Sequence, residues 1–175
     1  RSMFKGASNF NQNITGWDVS KVTNMAAMFD KATSFDQKIG DWDISKVTDM
    51  RDMFHGVTLS TATYDSILIG WAEENVESEV TFHAGNSIYS SAAVAARTTL
   101  TDADSNNWTI TDGGGIPVIS ISNPAANILY GNQDNIAISG TVTDHDNDNV
   151  TISAEIDGHE ENTTVTNGNG DWTLE

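Results

Sequence analysis

The residues best suited to hold a ligand form an acidic run, Asp144-His145-Asp146-Asn147-Asp148-Asn149. Oxygen donors at alternate positions, Asp144, Asp146 and Asp148, suit Ca2+, a hard cation that takes about six to eight oxygens. Glu155 stands twelfth from Asp144, where an EF-hand loop carries its bidentate glutamate. Asn149 occupies the place where that loop needs glycine, and the residues after it have the pattern of a strand, so an EF-hand is excluded. A Ca2+ loop between strands and an ordinary solvated turn remain, because Asp and Asn are also common turn residues. Asp102-Ala103-Asp104-Ser105-Asn106-Asn107 poses the same choice. Glu73-Glu74, Glu77, Glu79 and Glu160-Glu161 fall in charge runs that mark exposed faces. His55, His83, His145 and His159 are scattered. H-E-x-x-H, G-x-S-x-G and a phosphate-binding glycine loop are all lacking. Without cysteine there can be no disulfide, thiolate nucleophile or Cys-based zinc site. These residue types point to binding and away from an enzyme.

Charge narrows the partners. The net charge is −17, and all eight Lys and Arg lie between Arg1 and Arg97. Such a surface repels phosphate backbones and anionic lipid, so neither nucleic acid nor a membrane surface is expected. No apolar run approaches the roughly 20 residues of a membrane helix, which argues against insertion. Divalent cations are the natural counter-charge, which leaves Ca2+ as the one cofactor the residues suggest.

The elements that would position these groups come from an internal repeat. Met3-Phe4, Met28-Phe29 and Met53-Phe54 recur about every 25 residues. Ala7/Ala32, Phe10/Phe35, Gln12/Gln37 and Ile14/Ile39 match between them. So do Trp17-Asp18-Val19-Ser20-Lys21-Val22-Thr23 and Trp42-Asp43-Ile44-Ser45-Lys46-Val47-Thr48. A unit of this size cannot bury its apolar face alone and must stack on its neighbours. The spacing predicts a strand through Ile14, Trp17 and Val19, with both Trp17 and Val19 facing inward. It predicts a helix after Thr23, with Met25, Met28, Phe29 and Ala32 on one face, and its equivalent from Thr48 to Gly56. Ser60 caps a further helix through Tyr64, Ile67, Leu68 and Trp71. Val80 to Phe82 and Trp108 to Ile110 read as strands flanking an Ala-rich helix that ends near Leu100.

The pattern M-F-x-x-A-x-x-F-[ND]-Q-x-I-x-x-W-D-[VI]-S-x-V-T-[ND]-M resembles the repeat of the BspA-like leucine-rich family of bacterial surface proteins. The resemblance covers residues 1–58. It extends through Tyr64-Asp65, Trp71-Ala72, Tyr89-Ser90 and Trp108-Thr109-Ile110-Thr111-Asp112-Gly113-Gly114 of residues 59–114, which resemble a C-terminal cap. It implies a secreted or cell-surface protein that binds a protein or glycan on a cell or matrix surface, often in adhesion. Ile138-x-Gly140-Thr141-Val142-Thr143-Asp144 through Gly170-Asp171-Trp172 resembles bacterial immunoglobulin-like modules. That second resemblance covers residues 117–175, with five strands where a full domain has about seven.

The fold expected is therefore an α/β solenoid of parallel strands and helices, followed by an incomplete all-β Ig-like sandwich. Three rows of outward residues form the candidate partner-binding face. Asp18, Asp43, Thr81 and Thr109 make one; Ser20, Ser45, His83 and Thr111 a second; and Gly16, Asp41, Glu79 and Asn107 a third. A structural spacer without ligand, or an accessory region of a larger surface enzyme, would present the same residues to solvent. The chain opens inside a repeat, since Arg1-Ser2-Met3-Phe4 aligns with Arg51-Asp52-Met53-Phe54. Edge association through this incomplete first repeat is a further expectation.

Overall fold

The computed structural model describes residues 1–123, 138–144, 149–156, 159–165 and 169–174. The chain divides into unit 1, Arg1–Gly114, and unit 2, Gly115–Glu175.

Unit 1 holds two α-helices, α1 (Thr61–Ala72) and α2 (Val94–Thr101), with a short 3-10 turn at Ser91–Ala93 leading into α2. Strands β1 (Thr81–His83) and β2 (Thr109–Thr111) pair in parallel, with Thr81 opposite Thr109 and His83 opposite Thr111. Ser60 caps α1 by accepting from the Thr63 amide, and Ser90 does the same for Ala92. Tyr64, Ile67, Leu68 and Trp71 are the buried stripe of α1.

Residues 1–58 overturn the expectation of an α/β solenoid. They contain neither helix nor strand, only turns and the isolated bridges Asn24–Asp49 and Met50–Phe82. The reason lies in the backbone. Ser2, Ala27 and Asp52, one per copy of the repeat, have φ of 53°, 53° and 56°. Four residues on, Gly6, Lys31 and Gly56 have φ of 73°, 59° and 70°. Two left-handed residues per copy prevent a right-handed helix from propagating. The amides that would have bonded within a helix reach the next copy instead. Met25, Ala27, Phe29 and Lys31 donate to the carbonyls of Asp49, Arg51, Met53 and His55 at 2.8–2.9 Å. Unit 1 is thus a small mixed α/β domain.

The apolar stripe nevertheless goes inside. Met25, Phe29, Phe35, Ile39, Trp42, Ile44, Met50 and Phe54 belong to one core with Tyr64, Trp71, Phe82 and Leu100, so residues 1–58 and 59–114 are packed as one body. Equivalent rings stack with the repeat. Phe4 and Phe29 lie 5.5 Å apart at 4°, and Phe29 and Phe54 5.5 Å apart at 6°. The indoles form a ladder of their own: Trp42 Nε1 donates to the Ile14 carbonyl at 3.2 Å and Trp71 Nε1 to that of Ile39 at 3.3 Å. Burying each indole with its N–H satisfied avoids the desolvation cost of an orphan donor. At the turn before Trp42, Gly40 has no room for a side chain, because a Cβ there would strike the Ser66 carbonyl of α1.

Trp17 corrects a second expectation. It is 42% exposed, whereas Trp42 is 1% exposed. Position within the repeat does not bury an indole; a neighbouring copy on its outer side does.

The described residues of unit 2 form five strands: β3 (Val118–Asn123), β4 (Ile138–Thr143), β5 (Val150–Ile156), β6 (His159–Val165) and β7 (Gly170–Leu174). They make two small antiparallel sheets, β3-β4-β7 and β5-β6. An Ig-like sandwich needs about seven strands in two packed sheets. Among the described residues the small sheets of unit 2 do not make up that fold, and this expectation too is corrected. Val142, Ile152 and Trp172 form a core of their own, and Gly140 lies where a Cβ would strike the Ser120 carbonyl.

Candidate binding face

Two pairs of copies behave as the sequence rows require. Asp18 and Asp43 occupy the same turn in successive copies, each exposed. Each accepts from the amide and hydroxyl two residues on, Ser20 at 3.1 and 2.6 Å and Ser45 at 3.1 and 2.6 Å. These hydroxyl and amide bonds hold both carboxyls below their ordinary value. Lys46 Nζ bridges back to the Ser20 carbonyl at 3.2 Å. Glu74 then accepts the Ile44 amide at 2.9 Å, and burial raises its carboxyl above the ordinary value.

The rows do not continue as expected. Met50 pairs with Phe82, which places Asp49, and not Asp43, beside Thr81. The row that exists is Asn24, Asp49, Thr81 and Thr109. By the same register Arg51, and not Ser45, leads to His83 and Thr111. Glu79 keeps a true neighbour in Asn107, its amide donating to the Asn106 carbonyl at 2.8 Å, while Asp41 is exposed at the turn before Trp42. The alignment failed because the segment between Trp71 and Val80 has no counterpart in the repeat, so spacing alone could not set its register.

Three residues of this face escaped the sequence reading. Asn24 Nδ2 donates to Asp49 Oδ2 at 3.0 Å, and Arg51 grips the same carboxylate at 2.9 and 3.0 Å. The Arg51 guanidinium, ahead of the opposing effect of burial, holds Asp49 far below the carboxylate range. Beside them runs a column from one position of three copies: Lys5, Asp30 and His55. The buried Asp30 carboxylate accepts from Lys5 Nζ at 2.7 Å and meets His55 Nδ1 at 2.9 Å. An ionised carboxylate only accepts, so His55 donates from Nδ1. The Lys5 bond is the main reason that Asp30 titrates below its ordinary value, against the cost of burial. His55 in turn meets the ring of His83 edge-on, 5.5 Å between centroids. His83 Nδ1 accepts the Gly85 amide at 3.0 Å, which leaves the proton of its neutral ring on Nε2. A repeat offset of one copy would have found the column, since Lys5, Asp30 and His55 are in register in the sequence itself.

Residues 1–58 thus hold register-matched copies bonded amide to carbonyl across the repeat. Residues 1–94 match the family model described as a Mycoplasma protein of unknown function, DUF285. The chain belongs to that family. The match spans the repeats, α1 and β1, and is consistent with a surface-repeat protein. No curated protein and no solved structure matches the chain.

Away from the face, a polar clasp lies within unit 1. Arg97 Nε binds Asp112 Oδ2 at 2.9 Å, Tyr64 donates its hydroxyl to the same oxygen at 2.6 Å, and the Arg97 guanidinium lies 5.2 Å from the Tyr89 ring centroid. Burial, reinforced by the Asp112 charge, pushes the Tyr64 phenol well above its usual value. The clasp ties both helices to the residue that follows β2. Its atoms are engaged with one another, so its role is structural.

In unit 2 the acidic run is described only at its ends. Asp144 is buried, and the Asn169 side chain clasps its backbone, accepting the amide at 2.9 Å and donating to the carbonyl at 2.8 Å. Asp146 and Asp148 lie outside the described residues. Among the described residues, no group of three or more His, Asp or Glu is placed to hold a metal, and no helix is long and apolar enough to cross a membrane.

Proposed function

We propose that the chain is a non-catalytic binding module of a cell-surface protein, and that it recognises a protein or glycan partner through the exposed polar rows of unit 1. One observation carries this reading. The two repeat copies and the strands β1 and β2 place Asn24, Asp49, Thr81 and Thr109, and beside them Arg51, His83 and Thr111, in register over one shared core. Parallel pairing fixes the row spacing, and the side-chain bonds around Asp49 and Asp30 pin several of these polar groups. A surface ordered before binding loses little conformational entropy when a partner docks. The family match supports a surface location.

Arrays of matrix proteins and of glycans test the reading directly. Specific capture that is lost on Thr81→Arg with Thr109→Arg, two exposed positions whose substitution leaves the core intact, is the expected result. Capture that survives this double variant removes the face. No capture from either array favours a spacer.

A further inference from the structure

His83 closes the turn after β1 with a bond whose acceptor differs in kind from those around it. Its Nδ1 accepts the Gly85 amide at 3.0 Å. An amide N–H only donates, so this ring nitrogen is unprotonated. The same bond, from a side chain to the amide two residues on, recurs through unit 1. Ser20, Ala26, Ser45, Arg51 and Gly114 give their amides to Asp18, Asn24, Asp43, Asp49 and Asp112 at 3.1–3.2 Å. In those five the acceptor is an oxygen, and it remains an acceptor near neutral pH. An imidazole nitrogen does not, because histidine takes up its second proton between about pH 5 and 8.

The turn has little slack. Gly85 has φ of 69°, and a Cβ there would strike the carbonyls of Phe54 and Val57. The buried Ser87 hydroxyl donates to the Ala84 carbonyl at 2.7 Å and accepts the Leu59 amide at 3.0 Å. The charged groups about His83 come from several segments. His55 meets it edge-on, with Asp30 and Lys5 behind, and Lys31 lies against Gly56. Arg51 is its neighbour in the row, and Asp52 follows Arg51. Asp112 follows Thr111 on the other side and is held by Arg97 and Tyr64. The two histidines meet a proton differently. One added to His55 goes to Nε2 and leaves the bond to Asp30 intact. One added to His83 goes to Nδ1, where it faces the Gly85 N–H and sets a second cation beside His55.

We propose that His83 is an acid-released latch: protonation of Nδ1 breaks its bond to the Gly85 amide and loosens the turn of residues 84–86. The turn is held at neutral pH and released as the pH falls through the imidazole range. His83 stands between Arg51 and Thr111 in the second polar row, so the latch changes both the charge and the order of that row in acid. The device is complete within unit 1 and does not depend on what the row binds.

Nuclear magnetic resonance of the nitrogen-labelled full chain tests this. At neutral pH the two rings should show opposite tautomers, with the proton on Nε2 in His83 and on Nδ1 in His55. Hydrogen-exchange protection of the Gly85 amide, corrected for its intrinsic rate, should fall about tenfold or more from about pH 7.5 to about pH 5. Protection of the Ala84 amide, bonded to the Thr111 carbonyl, should hold. His83→Asn supplies an oxygen of the kind that Asn24 uses and should keep Gly85 protected at both pH values. His55→Gln should leave the fall in place. The proposal is overturned if His83 carries its proton on Nδ1 at neutral pH, if Gly85 protection does not change with pH, or if Ala84 loses protection to the same extent. It is also overturned if the fall persists in His83→Asn or disappears in His55→Gln. The tautomers and the two protection readings are taken on the parent chain, so they decide the matter even where a variant does not fold.

Discussion

Residues 1–25 and residues 26–50 carry nearly the same pattern and meet different fates. In the second copy Met28, Phe29, Phe35 and Trp42 are core; in the first, Met3, Phe4, Phe10 and Trp17 are partly or largely exposed. The residue types, turn positions and ring geometry are shared. What differs is one neighbour. In a stacked protein, then, a side chain's energetic weight belongs to the interface between copies and cannot be read from the copy itself.

The contrast is largest at the indoles. Trp42→Ala should lower the stability of unit 1 by about 3–5 kcal/mol, the range for deleting a buried aromatic. Trp17→Ala should cost about 1 kcal/mol or less. Urea unfolding of both variants measures this, and equal losses would break the comparison.

The glycines before those indoles should differ almost as much. A Cβ at Gly40 strikes the Ser66 carbonyl, while one at Gly16 meets nothing within 4 Å. Gly40→Ala is expected to cost about 2–3 kcal/mol through overpacking, and Gly16→Ala to stay within about 0.5 kcal/mol of the parent. The same unfolding assay reads both.

The shared column at Lys5, Asp30 and His55 sharpens the comparison through pH. Asp30 titrates below its ordinary value in the folded chain, so its ion pair stabilises above the unfolded carboxylate value, near about 4. That stability is lost as pH falls below this value through the folded one. The stability gap between parent and Asp30→Asn should therefore be full at pH 6 and shrink as the pH drops from about 4 toward 2. A gap that does not change with pH would assign the effect of Asp30 to packing.

The smallest effect concerns the left-handed position that is glycine in two copies and Lys31 in the third. Lys31→Gly should raise stability by about 0.5–1 kcal/mol, because relief of the left-handed penalty exceeds the extra entropy of glycine in the unfolded chain. A loss in the thermal midpoint would show that the Lys31 side chain contributes more by packing than its backbone costs.

Much of this was legible before any coordinates. The repeat, most of the core with Trp17 as the exception, the Ser60 cap and the buried stripe of α1 follow from spacing, and so do β1, β2 and the five strands described in unit 2. The helices expected at residues 23–32 and 48–56 failed for a reason that spacing hides. An i, i+3, i+4, i+7 stripe marks which side chains are buried, but it cannot tell a helix from a turn that projects the same residues inward. Ala27 and Asp52 at positive φ carry no glycine signature, so the break was invisible. The candidate face was half legible. Asp18 with Asp43, and Thr81 with Thr109, are neighbours in space, while the join between the two pairs depended on a register that the irregular segment from Trp71 to Val80 concealed.

The sequence by itself determined that these copies must stack, because a 25-residue unit holding Met, Phe and Trp at matched positions has no other way to leave water. It also determined that the chain is acidic overall, with every Lys and Arg between Arg1 and Arg97, and that thiol chemistry is absent. Only the tertiary structure decided which Trp is buried and which Asp stands beside Thr81, and that backbone amides bond across copies instead of along a helix. Burial, row alignment and amide pairing are all properties of the contact between copies, and a linear pattern does not specify that contact until the chain has folded.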